Sequence, residues 1–264
     1  MQITHDIHVH TKFSSCCNDE NALLENYIAR AKELGLTTLG ISDHLWEESV
    51  AGASEWYKPQ GLKRIWETGE TIKQINPDIR VLLGAEAEYA KGILSITPES
   101  AAKLDYVLVP HSHTHMKGFV LPETVHTLEG VANYMINSFK EITVKGIATV
   151  IAHPFQPGGY NNIRDLLQIY SYLPDSTFAE CFTLAKKHHT GIEINIGSFF
   201  NESPLDDIFK RSYLRMYQIA KDYGCKFSFG SDTHSINKFS RIKLGEVIAD
   251  YLQLTEDDLI ELVK

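Results

Sequence analysis

Seven short apolar runs, separated by amphipathic helical patterns, constrain this chain more than any other feature of its sequence. The runs cover roughly Ile3 to His10, Thr37 to Ser42, Ile79 to Leu83, Tyr106 to Val109, Ile147 to Ala152, Gly191 to Ile196 and Cys225 to Phe229. Short, apolar and mostly β-branched runs read as strands buried on both faces, which points to a parallel sheet. Apolar residues at helical spacing fall between them, at about Asn21 to Leu34, Gln60 to Ile75, Glu123 to Glu141, Ile163 to Tyr170, Phe178 to His188 and Leu205 to Tyr223. Further helical patterns centre on Val247 and Leu259, and Ala90 to Thr97 reads as a hairpin or irregular excursion around Gly92. Strand–helix alternation of this kind predicts an α/β fold. No linker or break in composition divides it, so one domain is expected over residues 1–264.

In parallel barrels the chemistry sits at the C-terminal ends of the strands. Most of the twelve histidines fall there, with acidic residues beside them. The first run ends in Asp6-Ile7-His8-Val9-His10-Thr11. Strand alternation puts Asp6, His8 and His10 on one face and Ile7 and Val9 on the other. Two imidazoles so placed can bind one ion together, or can be a pair of partly buried, hydrogen-bonded histidines. Later ends carry Asp43 and His44, then Glu86 and Glu88, then His111, His113 and His115, then His153, and finally Asp232 and His234. An ionisable cluster in one barrel mouth is costly unless ions neutralise it. Histidine with carboxylate is the ligand mix for two or more transition-type ions, and a shared carboxylate, here Glu86, is a natural bridge between them.

The formal net charge is -9 with no basic block. That counts against extended nucleic-acid binding but leaves a small phosphorylated substrate open. No apolar run is long enough to span a bilayer and no secretory pattern opens the chain, so no membrane partner and a cytoplasmic location are expected. Cys16, Cys17, Cys181 and Cys225 form no CxxC framework and read as reduced thiols.

The motifs Asp6-Ile7-His8-Val9-His10-Thr11, Ser42-Asp43-His44, Gly84-Ala85-Glu86, Ile151-Ala152-His153-Pro154, Glu193-Ile194-Asn195 and Gly230-Ser231-Asp232-Thr233-His234 span nearly the whole chain. Together they resemble the PHP family, the phosphoesterase domain shared by bacterial DNA polymerases and histidinol phosphatase. The resemblance implies a distorted (β/α)7 TIM-like barrel holding two or three divalent metal ions, zinc, iron or manganese. It implies one metal on His8, His10, Glu86 and Asp232. A second would share Glu86 and add His153 and a histidine after the fourth strand, with His113 favoured over His111. A third would use His44, His234 and a loop residue after His10.

That loop residue is a histidine in the histidinol phosphatase-like members, and Cys16 stands in its place here. Cys16 is a candidate thiolate ligand; it can equally be a plain loop thiol, with Asp19 or water filling the site. The expected chemistry is hydrolysis of a small, histidinol phosphate-like phosphomonoester by a metal-activated hydroxide. Glu86, Asp232 and His234 are the candidate catalytic residues, and Asp232, a histidine or water would protonate the leaving alcohol. A PHP-type nuclease or nucleotide phosphoesterase is the alternative, followed by a metal-dependent amidohydrolase and by a barrel that binds metal without catalysis. Asp6 and Asp43 are candidates to orient metal-bound histidines. Lys12, Lys117 and Arg241 are candidate phosphate-side cations. Glu88 is a salt-bridge or supporting carboxylate, and Asn195 a candidate for hydrogen bonding to a ligand. His5, His126, His188 and His189 read as structural or surface residues.

Overall fold

The computed structural model describes residues 1–197 and 208–264. The seven predicted runs form parallel strands β1 (His5–Val9), β2 (Thr38–Ile41), β3 (Arg80–Ala87), β4 (Tyr106–Pro110), β5 (Val150–Ala152), β6 (Gly191–Asn195) and β7 (Phe227–Gly230), adjacent in that order. Helices α1 (Leu24–Glu33), α2 (Leu62–Ile75), α3 (Pro98–Ala101), α4 (Leu128–Lys145), α5 (Ile163–Ser171), α6 (Asp175–Lys187), α7 (Ile208–Asp222) and α8 (Gly245–Tyr251) lie between and after them. The result is a nearly closed α/β barrel of the TIM-like kind.

The seam between β7 and β1 explains why closure is incomplete. Only one ladder bridge crosses it, Val9 to Thr233, with His10 N–H donating to Thr233 O at 3.0 Å and Asp232 N–H to His8 O at 2.8 Å. Below that point side chains replace the ladder. Phe229 N–H donates to His5 Nε2 at 2.9 Å, and Asp6 Oδ1 accepts from both His8 N–H and Ser231 N–H. Buried backbone donors need partners, and two polar side chains supply them where strand pairing stops. His5 is neutral in this role, because burial lowers its pKa to about 3. Asp6 therefore serves the backbone seam and makes no hydrogen bond to the ring of His8 or of His10.

Tyr106 fills the barrel interior. Its ring lies where a Cβ on Gly84 would sit 2.3 Å away, and its hydroxyl, 2.4 Å from a Cβ position on Gly40, donates to Ile7 O at 2.8 Å. Two glycines thus admit one large ring that plugs the floor beneath the site. The main core runs between the sheet and the helices, with Tyr27, Phe139, Phe155, Phe178, Phe182 and Tyr217 among its buried side chains.

Some element bounds differ from expectation for local reasons. β3 continues through Ala87, because the two-residue strand His44–Leu45 pairs in parallel with Glu86 and Ala87 and prolongs the ladder. Glu86 therefore stands inside a strand. Helix α4 begins at Leu128, where Thr127 Oγ1 accepts Gly130 N–H as an N-cap, so His126 precedes the helix instead of lying in it. Around Leu259 only short 3-10 turns form, because Leu259 is extended and bridges Phe227. The hairpin at Tyr89–Ala90 and Ile93–Leu94 turns through Lys91 and Gly92, both at positive φ, as a tight two-residue turn requires. The predicted start of the sixth helical segment at Leu205 lies outside the described residues.

Candidate metal centre

Nine predicted site residues converge at the C-terminal rim. Three overlapping sets bring ligand atoms within 4.8 Å of one another: His8, His10 and Glu86; Glu86, His113 and His153; and His10, His44 and His234. Asp232 Oδ1 joins the first set at 3.6 Å from His8 Nε2 and 3.4 Å from His10 Nε2. Glu86 belongs to two sets and is 1% exposed, so it sits at the centre of the cluster. Cys16 lines the same cavity with His44 and His234.

The outer hydrogen bonds assign the tautomer of each imidazole. His8 Nδ1–H donates to Glu193 Oε1 at 2.6 Å. Ser14 gives its own proton to Asp43, so its oxygen accepts from His10 Nδ1–H at 3.0 Å. His113 Nδ1–H donates to Glu88 Oε2 at 2.7 Å. Ser112 gives its proton to His153 O and accepts from His153 Nδ1–H at 2.7 Å. His234 Nδ1–H donates to Asp232 O at 3.1 Å. In all five rings the outer nitrogen is spent as a donor, leaving Nε2 as the nitrogen that can hold either a proton or a metal ion. His8 and His10 even point these nitrogens at each other across 3.1 Å. Two lone pairs so placed would repel, so the gap must hold a proton or a metal cation, and the carboxylates around His8 favour a proton there until a metal displaces it. Anchoring the far nitrogen is also how metal-bound histidines are held.

The protein's own charges ask for the same thing. Burial disfavours the charged form of His8, yet the carboxylates of Glu193, Asp232 and Glu86 overcome it and raise its pKa well above the ordinary value. Burial is likewise outweighed at His44 by Glu86 and Cys16, and at His113 by Glu88 and Glu86, so both are raised. His10 is pushed the other way by burial and by neighbouring His234 and His44. Against the burial penalty, the imidazoles hold the pKa values of Glu86 and Asp232 below the normal range. Burial opposes ionisation of the Cys16 thiol, but hydrogen bonds with His234 and His44 bring its pKa down to about 6. His44 Nδ1 and Glu86 Oε2 lie 2.8 Å apart, but both remain buried without an aligned hydrogen bond. Buried polar atoms seldom go unmatched, and a soft-to-intermediate divalent cation suits this set of imidazole, carboxylate and thiolate donors.

The structure separates the remaining candidates. His111 is turned away from the site: its Nδ1–H donates to Met135 O and its Nε2 accepts from Phe155 N–H. With both nitrogens used and its pKa lowered to about 3 by burial, it offers no lone pair to an ion. Asp19 is likewise engaged elsewhere, accepting from Ser235 Oγ, Ile236 N–H and Asn21 N–H. Asp43 acts on His10 through Ser14. Glu88 accepts from His113 and from the Tyr57 hydroxyl. Asn195 is buried; it donates to Glu193 and Asp232 and accepts from Gly197 N–H, so it braces the site from beneath. Lys12 lines a separate cleft beside Leu24 and Thr71, and Lys117 is exposed, whereas Arg241 lines a cavity with Asp232 and His234.

The sequence reading gave no role to Glu193, Ser14 or Ser112. Glu193 lies inside an apolar strand, and that misfit was the available signal. Its carboxylate binds His8 on one oxygen and accepts from His153 N–H and Asn195 Nδ2 on the other. Gly230 makes room for it, since a Cβ there would lie 2.0 Å from Glu193 Oε1.

Two probable phosphatases of Aliivibrio fischeri, from strains ES114 and MJ11, are each 25% identical over 267 residues, covering 98% of this chain and 90% of the relative. The fold is similar to that of histidinol phosphate phosphatase from Lactococcus lactis, solved with zinc, L-histidinol and phosphate. The two superpose with a TM-score of 0.67 at 14% identity, over 98% of both chains. The PHP domain matches residues 6–263, which takes in every residue of the cluster, and the chain therefore belongs to the PHP domain family.

Proposed function

We propose that the chain is a metal-dependent phosphomonoesterase that works as one domain in the cytoplasm and holds two or three divalent ions, zinc, iron or manganese. The observation that carries this reading is the set of five imidazoles whose outer nitrogens are all anchored while their Nε2 atoms converge on two carboxylates. His8, His10, Glu86 and Asp232 would hold one ion; Glu86, His113 and His153 a second; His44, His234 and Cys16 a third. Ions bound there supply Lewis acidity and lower the pKa of water toward neutrality. The chain's own residues do the rest. Glu86 ties the first two sets together. Asp232, held as a carboxylate by the imidazoles around it, is a ligand or base and not the proton donor. His234 and Asp232 are the most exposed of the imidazole and carboxylate members, at 32% and 26% side-chain exposure, so they face an entering substrate. The cavity they line with His44 and Glu86 measures about 230 Å³, the scale of a phosphoryl group and a small alcohol. Free thiols at all four cysteines are in keeping with a reducing compartment.

The test is elemental analysis joined to a substrate screen. At least two equivalents of zinc, iron or manganese per chain are expected, with hydrolysis of small phosphomonoesters, histidinol phosphate among them. Glu86→Gln should cut turnover at least about 100-fold while leaving the fold intact. A metal-free chain that is fully active would overturn the proposal, as would exclusive activity on oligonucleotides or amides.

A further inference from the structure

The 3-10 segment Ile236–Leu244 leaves the rim directly after His234. Residues three apart eclipse one another in such a helix. Phe239 and Ile242 are fully buried and fix one face against the core. The face carrying Ser235, Lys238 and Arg241 consequently looks into a second cavity, whose other walls include Gly197, Asp232 and His234. Asp232 and His234 also line the cavity over Glu86, so the two spaces share a wall. Lys238 and Arg241 thus stand one above the other beside the site.

Both are cations without a counter-charge. Acidic residues outnumber Lys and Arg by 34 to 25 in this chain, yet among the described residues neither the Lys238 ammonium nor the Arg241 guanidinium has an ion-pair or hydrogen-bond partner. The next cation of the same segment behaves differently: Lys243 pairs with Glu246 at 3.1 Å and donates to Ile3 O. Arg241 is also half-buried, where an unpaired guanidinium forfeits hydration. Two eclipsed like charges repel, and an anion between them relieves that repulsion. A guanidinium beside an ammonium is the donor set for a carboxylate or phosphate.

We propose that Lys238 and Arg241 form a second anion subsite, which selects phosphomonoesters whose leaving alcohol carries its own carboxylate or phosphate. The inference rests on the phosphomonoesterase reading and narrows it. The scissile phosphoryl group goes to the cavity over Glu86, and the far end of the substrate reaches across Asp232 and His234 to the cation pair. An alcohol bearing an ammonium group is disfavoured at the same place.

The experiment compares kcat/KM within matched pairs on the metal-loaded enzyme. Phosphoglycolate against ethyl phosphate tests a carboxylate; fructose bisphosphate against fructose monophosphate tests a second phosphate; histidinol phosphate supplies the cationic case. The wild type should prefer the anion-bearing member of at least one pair by about 10-fold or more, and the preference should shrink with added salt. Which pair shows it identifies the group. The double variant Lys238→Gln/Arg241→Gln should collapse that ratio toward unity. Charge reversal, Lys238→Glu/Arg241→Glu, should tilt it toward histidinol phosphate, with the melting temperature confirming the fold. A wild-type ratio near unity, or a ratio that survives the double variant, overturns the subsite. Failure to hydrolyse any phosphomonoester overturns the phosphomonoesterase reading instead.

Discussion

Replacing Glu193 with Gln isolates the part of the site that holds the ligands without being one of them. The wild-type carboxylate only accepts, and three donors surround it: His8 Nδ1–H at 2.6 Å, His153 N–H at 2.5 Å and Asn195 Nδ2 at 3.1 Å. A glutamine has one accepting end and one donating end. Two of the donors point at Oε2, so the carbonyl belongs there and the amide NH2 meets His8. His8 must then accept on Nδ1 and carry its proton on Nε2, the nitrogen aimed at the cluster. The opposite orientation leaves two buried donors facing an NH2 group, at about 1–3 kcal/mol for each unmatched group. Either arrangement weakens the ligand atom of His8. We expect a loss of about 10–100-fold in metal affinity, the range found when the outer partner of a metal-bound histidine is removed, or about 1.4–2.7 kcal/mol.

The assay is competition for zinc against a chromogenic chelator, with far-UV circular dichroism confirming the fold. Affinity should drop while kcat at saturating metal falls less. Metal affinity within twofold of wild type would refute the tautomer argument, because His8 would then be shown to present Nε2 without a carboxylate behind it.

Gly230→Ala should damage the same pair by force: a Cβ would lie 2.0 Å from Glu193 Oε1 and 2.5 Å from His8 Cβ, so urea unfolding should show a loss of about 1–3 kcal/mol and the chelator assay a weaker site. Removing metal with a chelator should lower the melting temperature as well as activity, since ligand at 100 times its dissociation constant stabilises by about 2.7 kcal/mol. Metal binding should also release protons, measurable in weakly buffered solution, because cations displace those that the carboxylates hold on His8 and His44. His5 should give the metal-stripped chain an acid-side stability slope. Its folded pKa of about 3 lies below the unfolded value of 6.5. Stability is therefore complete above pH 6.5 and declines as pH falls toward 3, because only the unfolded chain takes up the proton. Between pH 7 and pH 5 the loss amounts to roughly 2 kcal/mol from this residue, and His5→Gln should remove that share of the slope in urea titrations.

Much of the barrel and its rim was legible because two periodicities survive in the sequence. Strand alternation sets His8 and His10 on one face, and the ends of apolar runs mark where Asp, Glu and His gather. Legibility ends where the chain leaves those patterns. His111, His113 and His115 alternate in sequence, but β4 ends at Pro110, so strand parity no longer governs them. His111 packs against Phe139 and Phe155 while His113 turns inward. The partners of the outer nitrogens were equally hidden. Ser14 and Ser112 are ordinary loop serines until the fold shows that each gives its proton away and so must accept from an imidazole. Arg241 stood out as a cation, but only the three-residue period of a 3-10 segment places Lys238 above it.

The sixth strand shows how a barrel can stabilise such a rim without lending it a ligand. His153, directly after β5, and Asp232, two residues after β7, sit at φ 28° and 51°, a left-handed backbone that costs a non-glycine residue about 1–3 kcal/mol. Something must over-determine those conformations. Glu193 accepts His153 N–H, and Asn195, two residues on and on the same face of β6, donates to Glu193 and to Asp232 Oδ2. One carboxylate and one amide thus tie together His8 from β1, His153 after β5 and Asp232 after β7. The strained backbone at His153 and Asp232 and the orientation of the His8 ring are thus held by the same two buried groups of β6, which keep all three aimed at the place where a cation would sit. Asn195→Ala should therefore weaken metal binding although Asn195 contacts no ion, and an unchanged affinity in the chelator assay would show that the strained ends of β5 and β7 hold themselves in place.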